Sequence, residues 1–146
     1  MITRAHRICF DSNALIYLLE VVDPYFPWMF SLFESVHLGQ RQAVISVVTE
    51  TELMIKPLRD GDLGMLRKIE ATLSHENVQV AVADREVARR AARVRAETYI
   101  KLPDAFIVAT AIVTGCDALV GNDELCAKRV TEIPYIYLDD AVRSTS

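Results

Sequence analysis

The sequence is that of a globular protein of 146 residues with a slight acidic excess. Lys and Arg together number 16 and Asp and Glu 20, giving a formal net charge of −4, and 51% of the residues are hydrophobic. These values exclude disordered, collagen-like and low-complexity chains, and the length favours one domain over residues 1–146 that buries roughly two-thirds of its unfolded surface.

Strand-like and helix-like segments alternate along the chain. Predicted strands cover residues 7–10, 43–46, 78–82, 118–120 and 135–138. Predicted helices cover residues 13–20, 28–37, 47 to about 57, 63–73, 85 to about 99, 103–113 and 123–130. Strands separated by helices of this length pair in parallel through right-handed crossovers. The order βααβααβααβαβ therefore predicts an α/β three-layer domain with a central, mostly parallel sheet flanked by helices.

Prolines and N-cap residues mark several of the helix boundaries. Pro24 and Pro27 are expected to interrupt the chain before the second helix, and Pro57 is expected near the end of the third. Asp62 and Asp84 each precede a helical pattern, as N-cap residues do.

The cysteines and the apolar stretches indicate a cytoplasmic protein. Cys9, Cys116 and Cys126 form no C-x-x-C pair, and such a sparse, odd set argues for a reducing compartment. The polar N-terminal residues do not form a signal-peptide pattern. The longest apolar stretch, residues 105–113, is far shorter than the ~18 residues of a membrane span, so no membrane partner is expected.

Three aspartates fall where α/β sheets bind ligands, beyond the carboxyl ends of the strands. Asp11 follows the first strand directly, Asp123 follows the strand at residues 118–120, and Asp104 lies in the first turn of an apolar helix. Each would also suit a simple capping role, but capping does not require the three to converge. Converging carboxylates raise one another's pKa unless a cation intervenes, and oxygen ligands favour Mg²⁺ or Mn²⁺ over Zn²⁺.

A glutamate after the second strand is a fourth candidate. Glu50 and Glu52 lie two residues apart on a predicted helix, where side chains point about 200° from each other. Only one of them can face the strand ends, and periodicity alone leaves the choice open.

Four short motifs follow one another along the chain. They are Cys-Phe-Asp11-Ser-Asn13, Ile-Ser46 with Glu52 six residues later, Leu-Pro-Asp104-Ala, and Gly-Asn-Asp123. Each motif is commonplace alone. Taken in this order, across essentially the whole chain, they resemble the PIN-domain ribonucleases, and most closely the VapC-type toxins of bacterial and archaeal toxin–antitoxin pairs.

The resemblance implies an activity and a set of site residues. The positions that correspond to the family's catalytic, metal-binding acids are Asp11, Glu52, Asp104 and Asp123. This correspondence selects Glu52 over Glu50. Asn13 and Ser46 match polar positions that help to hold the family's site. The implied function is a Mg²⁺-dependent endoribonuclease, with Mn²⁺ as a substitute, that cleaves RNA by metal-activated water.

The resemblance also implies partners. VapC-type toxins are commonly homodimers, and a cognate VapB-type antitoxin covers the active site. The aromatic segment at residues 25–33 would suit a groove for an amphipathic antitoxin helix. Arg85, Arg89 and Arg93 recur every four residues and form either an RNA-binding stripe or an ordinary solvated helix face.

Two departures from the family keep other functions open. The family usually has Ser or Thr at the position of Gly121, and sometimes a further acid at the position of Cys126. Gly121 favours an alternative, a PIN-like RNA- or protein-binding module with weak or lost nuclease activity. A phosphatase of the haloacid-dehalogenase type would need Asp where this chain has Asn13, which argues against that class.

Overall fold

A five-stranded parallel sheet organises residues 4–144, the part of the chain that the computed structural model describes. The strands are β1 (Arg7–Phe10), β2 (Gln42–Ser46), β3 (Val78–Ala81), β4 (Ala118–Gly121) and β5 (Tyr135–Tyr137). They pair in the order β3-β2-β1-β4-β5, all in parallel. The predicted α/β class is confirmed, and the two ends of the expected domain at 1–146 lie outside the described residues.

Eight helices within residues 4–144 flank this sheet. They are α1 (Ser12–Leu19), α2 (Phe26–His37), α3 (Val47–Asp60), α4 (Leu63–Leu73), α5 (Arg85–Thr98), α6 (Leu102–Val113), α7 (Glu124–Arg129) and α8 (Leu138–Ser144). None of these helices is long and apolar enough to cross a membrane.

The two faces of the sheet bury separate apolar layers, because strand side chains alternate between faces. Ile8 and Phe10 of β1 belong to a layer that includes Phe33 of α2. Cys9, which lies between them in sequence, belongs to the opposite layer with Ile107 of α6. The sheet therefore lies between two layers of helices, as the sequence predicts.

The central strands β1 and β4 bring the first and last acidic motifs side by side. Phe10 pairs with Val120, so the two strands end at the same edge of the sheet. The chain leaves β1 through Asp11, whose N–H donates to the Val120 carbonyl over 3.0 Å. Asp11 is the N-cap of α1, and Asp123 is the N-cap of α7.

Two proline positions act differently from expectation. Helix α3 continues past Pro57 and ends at Gly61, whose N–H donates to the Pro57 carbonyl. Pro57 has no N–H to donate within the helix, yet three further residues stay helical before the left-handed Gly61 ends it. Helix α2 begins at Phe26 rather than at residue 28, with Pro27 in its first turn, where a missing N–H costs no hydrogen bond.

The C-terminal helix α8 has no counterpart among the predicted elements. Strand β5 ends at Tyr137, and α8 starts at Leu138, the residue predicted to close the strand. Asp139 and Asp140 in the first turn favour a helix start, but seven residues give too short a pattern to predict from. The other boundaries agree within two residues, and the N-caps at Asp62 and Asp84 are confirmed.

Gly61→Ala should lower the free energy of unfolding by about 1 kcal/mol. The reason is that Gly61 has φ +66°, a left-handed backbone angle that costs an L-residue roughly 1–2 kcal/mol. A Cβ there would meet no atom within 4 Å, so the backbone angle alone is tested. Gly64→Ala, inside α4, is the matched control and should be neutral or stabilising by up to about 1 kcal/mol. Chemical denaturation measures both variants, and equal losses would contradict the role of Gly61.

Candidate active site

Four acidic side chains that are distant in sequence line one cleft at the carboxyl edge of the sheet. They are Asp11, Glu52, Asp104 and Asp123. Ser12, Asn13, Lys101 and Pro103 also line it. The structure thus brings together all four acids that the sequence motifs single out.

The order of the strands explains why these acids meet. Asp11 lies between β1 and α1, and Asp123 lies between β4 and α7. Glu52 is carried by α3, which follows β2 without a loop, and Asp104 lies in the first turn of α6. Because β2, β1 and β4 are neighbours, their chain exits deliver three of the four side chains to the same edge.

The Asp11 carboxylate caps a helix and still faces the cleft. Its Oδ1 accepts a hydrogen bond from the Ala14 N–H over 2.9 Å. Its Oδ2 lies 3.4 Å from the N–H of Asn122, which follows β4. The capping and functional interpretations are therefore compatible, since the cap uses only one of the two oxygens.

Asp104 and Asp123 lie together beside Cys126. A potential ligand atom from each of these three residues lies within 4.8 Å of the other two. Asp123 Oδ1 also accepts a hydrogen bond from the Cys126 N–H over 2.8 Å, which caps α7. Burial, followed by the charges of Asp123 and Asp104, raises the pKa of the Cys126 thiol, so it keeps its proton. The two carboxylates are therefore the donors suited to a hard cation.

Glu52, and not Glu50, faces the cleft. The Ser12 hydroxyl of α1 donates a hydrogen bond to Glu52 Oε1 on α3. Glu50 lies in the first turn of α3 and is not among the residues that line the cleft. Tertiary packing thus decides between the two glutamates where helical periodicity does not.

The two polar residues expected to help hold the site have different roles. Asn13 lines the cleft with an exposed side chain. Ser46 is fully buried, and its Oγ accepts a hydrogen bond from the Val48 N–H over 3.1 Å as the N-cap of α3. Ser46 therefore acts on the cleft only through the helix that carries Glu52.

Burial, and then the charges of neighbouring acids, raises the pKa of two of the acids. Burial raises the pKa of Asp11 to about 7, and the charges of Asp104 and Asp123 add to the rise. Burial also raises the pKa of Asp104 to about 6, helped by Asp123 and Glu52 and opposed by Lys101. A divalent cation would relieve both the burial cost and the repulsion, so the residues present fit such an ion.

The acidic motifs do not single out Ser12, Lys101 or Tyr135. Ser12 and Lys101 lie next to motif residues, so their proximity in sequence is a usable signal. Tyr135 lies 12 residues after Asp123, and its hydroxyl accepts a hydrogen bond from the Asp123 N–H over 3.0 Å. No sequence pattern indicates this contact, because it depends on the pairing of β5 with β4.

The predicted basic stripe extends away from the cleft. Arg85, Arg89 and Arg93 are exposed on α5. Arg89 and Arg93 lie beside Val113, at the C-terminal end of α6. Asp104, at the other end of the same helix, is about 14 Å away along the axis. Contact of this stripe with RNA stays a prediction.

The aromatic segment contributes to a groove on another side of the protein. Phe26, Phe30 and Phe33 of α2 line this groove together with Lys68 of α4. Phe30 is 52% exposed, whereas Trp28 packs against the core. Part of the segment is therefore core and part is available to a partner.

Comparison with known families identifies the family to which the chain belongs. The PIN domain family model matches residues 8–132, a range that contains all four acids. The chain belongs to the PIN domain family. The resemblance carried by the four motifs is thus confirmed. A comparison of this PIN domain with curated proteins gives no significant match.

Solved structures similar to this PIN domain are toxins of toxin–antitoxin pairs. A toxin–antitoxin complex from Klebsiella pneumoniae has 24% identity and a TM-score of 0.67, covering 90% of this chain and 97% of the other. VapBC2 from Rickettsia felis, bound to a promoter DNA fragment, has 17% identity and a TM-score of 0.72, covering 90% and 98%. VapC20 from Mycobacterium tuberculosis, a sarcin–ricin loop cleaving toxin, has 16% identity and a TM-score of 0.66, covering 87% and 98%. At these identities the likeness supports the fold.

The metal-free protein should lose stability as the pH rises from about 4 to about 7. Asp11 and Asp104 have raised pKa values, so the folded state binds more protons than the unfolded state in this range. In EDTA, the melting temperature should therefore be higher near pH 5 than near pH 8. Asp11→Asn should flatten this dependence by removing one of the two groups.

Added Mg²⁺ should raise the melting temperature near pH 8 and have much less effect near pH 5, where protons compete for the same oxygens. Thermal melts of the wild type and Asp11→Asn at both pH values check this. Identical melts with Mg²⁺ and EDTA near pH 8 would contradict a metal site in the cleft.

Proposed function

We propose that this PIN domain is a Mg²⁺-dependent endoribonuclease and the toxin of a VapBC-type toxin–antitoxin pair. The observation that carries the proposal is the single cleft in which Asp11, Glu52, Asp104 and Asp123 meet. Four carboxylates in one cleft are costly unless a cation binds them. The fold likeness to a sarcin–ricin loop cleaving toxin supports RNA as the substrate.

The metal would be held by the aspartates of the cleft. Asp11, Asp104 and Asp123 supply carboxylate oxygens, the donors that favour Mg²⁺ and allow Mn²⁺ to replace it. When bound, such an ion neutralises charge on the phosphate and lowers the pKa of a water molecule. The Cys126 sulfur is a soft donor and would not compete with these oxygens for a hard cation.

The other residues of the cleft would orient the reactants. Glu52, held by the Ser12 hydroxyl, would accept a proton from the attacking water as its oxygen bonds to phosphorus; the bond from phosphorus to the leaving ribose oxygen breaks, and that oxygen takes a proton from solvent. The N–H groups of Ala14 and Asn122 hold the Asp11 carboxylate from two sides. Lys101 provides a positive charge for the RNA phosphate within the same cleft.

The net charge of −4 does not oppose an RNA substrate, because local charge determines binding. Lys101 lies in the cleft. The exposed side chains of Arg85, Arg89 and Arg93 form the basic stripe along α5. We assign the stripe to RNA bound beyond the scissile bond. Such a contact would make RNA affinity fall steeply with added salt.

We further propose that a cognate VapB-type antitoxin occupies the groove lined by Phe26, Phe30 and Phe33. Several of the similar structures are complexes of a toxin with its antitoxin. Apolar groove walls with an exposed Phe30 suit the apolar face of an amphipathic helix. A homodimer and a cytoplasmic location remain part of the proposal, the latter supported by three free cysteines and an RNA substrate.

An alternative, a PIN-like binding module with weak or lost nuclease activity, is favoured by one feature only. Gly121 lacks the hydroxyl that the family usually carries at this position. Such a module would bind RNA or a protein without metal-dependent turnover, so the cleavage experiment separates the two functions.

Asp11→Asn and Glu52→Gln should each lower RNA cleavage by at least about 100-fold, because each removes an acid from the cleft. Glu50→Gln is the matched control and should cleave at the wild-type rate, since Glu50 lies outside the cleft. End-labelled total RNA is incubated with each protein in Mg²⁺, in Mn²⁺ and in EDTA. RNA binding without cleavage in either metal would support the binding module instead.

Phe30→Glu should prevent binding of the antitoxin while leaving RNA cleavage by the free toxin intact, because Phe30 lines the groove and not the cleft. Val82→Glu, at an equally apolar position that is 67% exposed beyond β3, is the control. Each variant is co-expressed with the product of the adjacent gene and tested by co-purification. Loss of binding by both variants, or by neither, would contradict the groove assignment.

A further inference from the structure

Gly121 ends β4 close to the side chains of Asp11 and Tyr135. A Cβ added at Gly121 would lie 2.8 Å from Asp11 Cγ, and closer still to Asp11 Oδ2 and to the Tyr135 hydroxyl oxygen. A side chain at this position would therefore force the Asp11 and Tyr135 side chains to move. The close approach of these two side chains, and not an unusual backbone angle, favours glycine here.

The Tyr135 hydroxyl fills the space that a side chain at position 121 would otherwise occupy. Tyr135 is half-buried on β5, which pairs with β4. Its oxygen accepts the hydrogen bond from the Asp123 N–H, and it borders, together with Asp11 Oδ2, the space that a Cβ at position 121 would take. A tyrosine hydroxyl keeps its proton at neutral pH, since its ordinary pKa is about 10.

These contacts place one neutral hydroxyl between two acids of the cleft. Its oxygen accepts a hydrogen bond from the backbone N–H of Asp123, and its own O–H remains able to donate on the side where Asp11 lies. A hydroxyl can do both at once because it is a donor and an acceptor. Groups that orient metal-binding carboxylates in this way commonly tune metal affinity.

We propose that Tyr135 is a positioning residue of the active site, whose hydroxyl holds the Asp123 backbone beside Asp11 in place of the hydroxyl usually carried at the position of Gly121. The inference rests on the proposed function and adds to it a residue outside the four acidic motifs. On this assignment the Tyr135 hydroxyl takes the role of the Ser or Thr hydroxyl that the family usually has at position 121, so Gly121 does not indicate a lost site.

Tyr135→Phe is the first test, because it keeps the ring that packs between the strands and removes only the hydroxyl. Amide hydrogen exchange at Asp123 should accelerate by roughly fivefold or more, since its N–H loses its acceptor. Affinity for Mn²⁺ should fall by roughly 10-fold. In RNA cleavage, kcat should fall while KM stays near the wild-type value.

Tyr137→Phe is the matched control. It removes a hydroxyl from the same strand, but one that donates to Asp139 over 3.2 Å and does not contact Asp11 or Asp123. Exchange at the Asp123 amide and affinity for Mn²⁺ should both stay at the wild-type level. Equal effects of the two tyrosine variants would overturn the proposal.

Gly121→Ser tests the exchange of hydroxyls directly. Alone, it should weaken Mn²⁺ binding more than Tyr135→Phe does, because its Cβ collides with both Asp11 and Tyr135. When Gly121→Ser is combined with Tyr135→Phe, the Tyr135 hydroxyl is no longer in the way of the new Cβ, and the serine supplies a new hydroxyl. The double variant should therefore bind Mn²⁺ more tightly than Gly121→Ser alone.

The outcomes separate this inference from the function on which it rests. Wild-type Mn²⁺ affinity in Tyr135→Phe, or a double variant whose loss equals the product of the single losses, would overturn the role of Tyr135. If the wild type neither binds Mn²⁺ nor cleaves RNA, the proposed function fails. Exchange at the Asp123 amide, measured on the same folded variants, then still decides whether Tyr135 positions that residue.

Discussion

The burial of neighbouring carboxylates at one edge of a parallel sheet is the constraint on which the rest of the site depends. Asp11 and Asp104 bind protons far more tightly than exposed aspartates, chiefly because they are buried and then because their neighbours are negative. The fold compensates part of this cost. Asp11 and Asp123 cap α1 and α7, and Asp104 lies in the first turn of α6, so three helix N-termini meet the acids. A bound cation is expected to offset the remaining cost of burying these charged carboxylates.

The edge strand β5 contributes a residue beside the acids that none of the four motifs contains. Its Tyr135 reaches the Asp123 backbone and the space beside Asp11. Gly121 permits this approach because it has no side chain. The departure from the family at Gly121 is therefore interpretable only together with a residue on the neighbouring strand.

Helix α1 connects the cleft with the aromatic groove. Ser12, at its first turn, donates a hydrogen bond to Glu52, and Leu18, near its last, lines the groove. The eight residues of α1 span about 12 Å. Glu52 and Leu19 also line a common depression between the two surfaces. A partner seated in the groove would thus lie within a short distance of the acids, which suits an antitoxin that covers an active site.

The sequence by itself determined the strand and helix order up to β5, the capping aspartates and the acids at the strand ends, because these depend on local periodicity and short-range hydrogen bonds; it did not indicate α8. It did not determine the choice of Glu52 over Glu50 by periodicity, since both lie on a helix that is partly buried on several sides; a hydrogen bond from Ser12 makes that choice. The role of Tyr135 was likewise decided by tertiary structure. Strand pairing places its hydroxyl against residues 12 or more positions away, and no local pattern records which strands become neighbours.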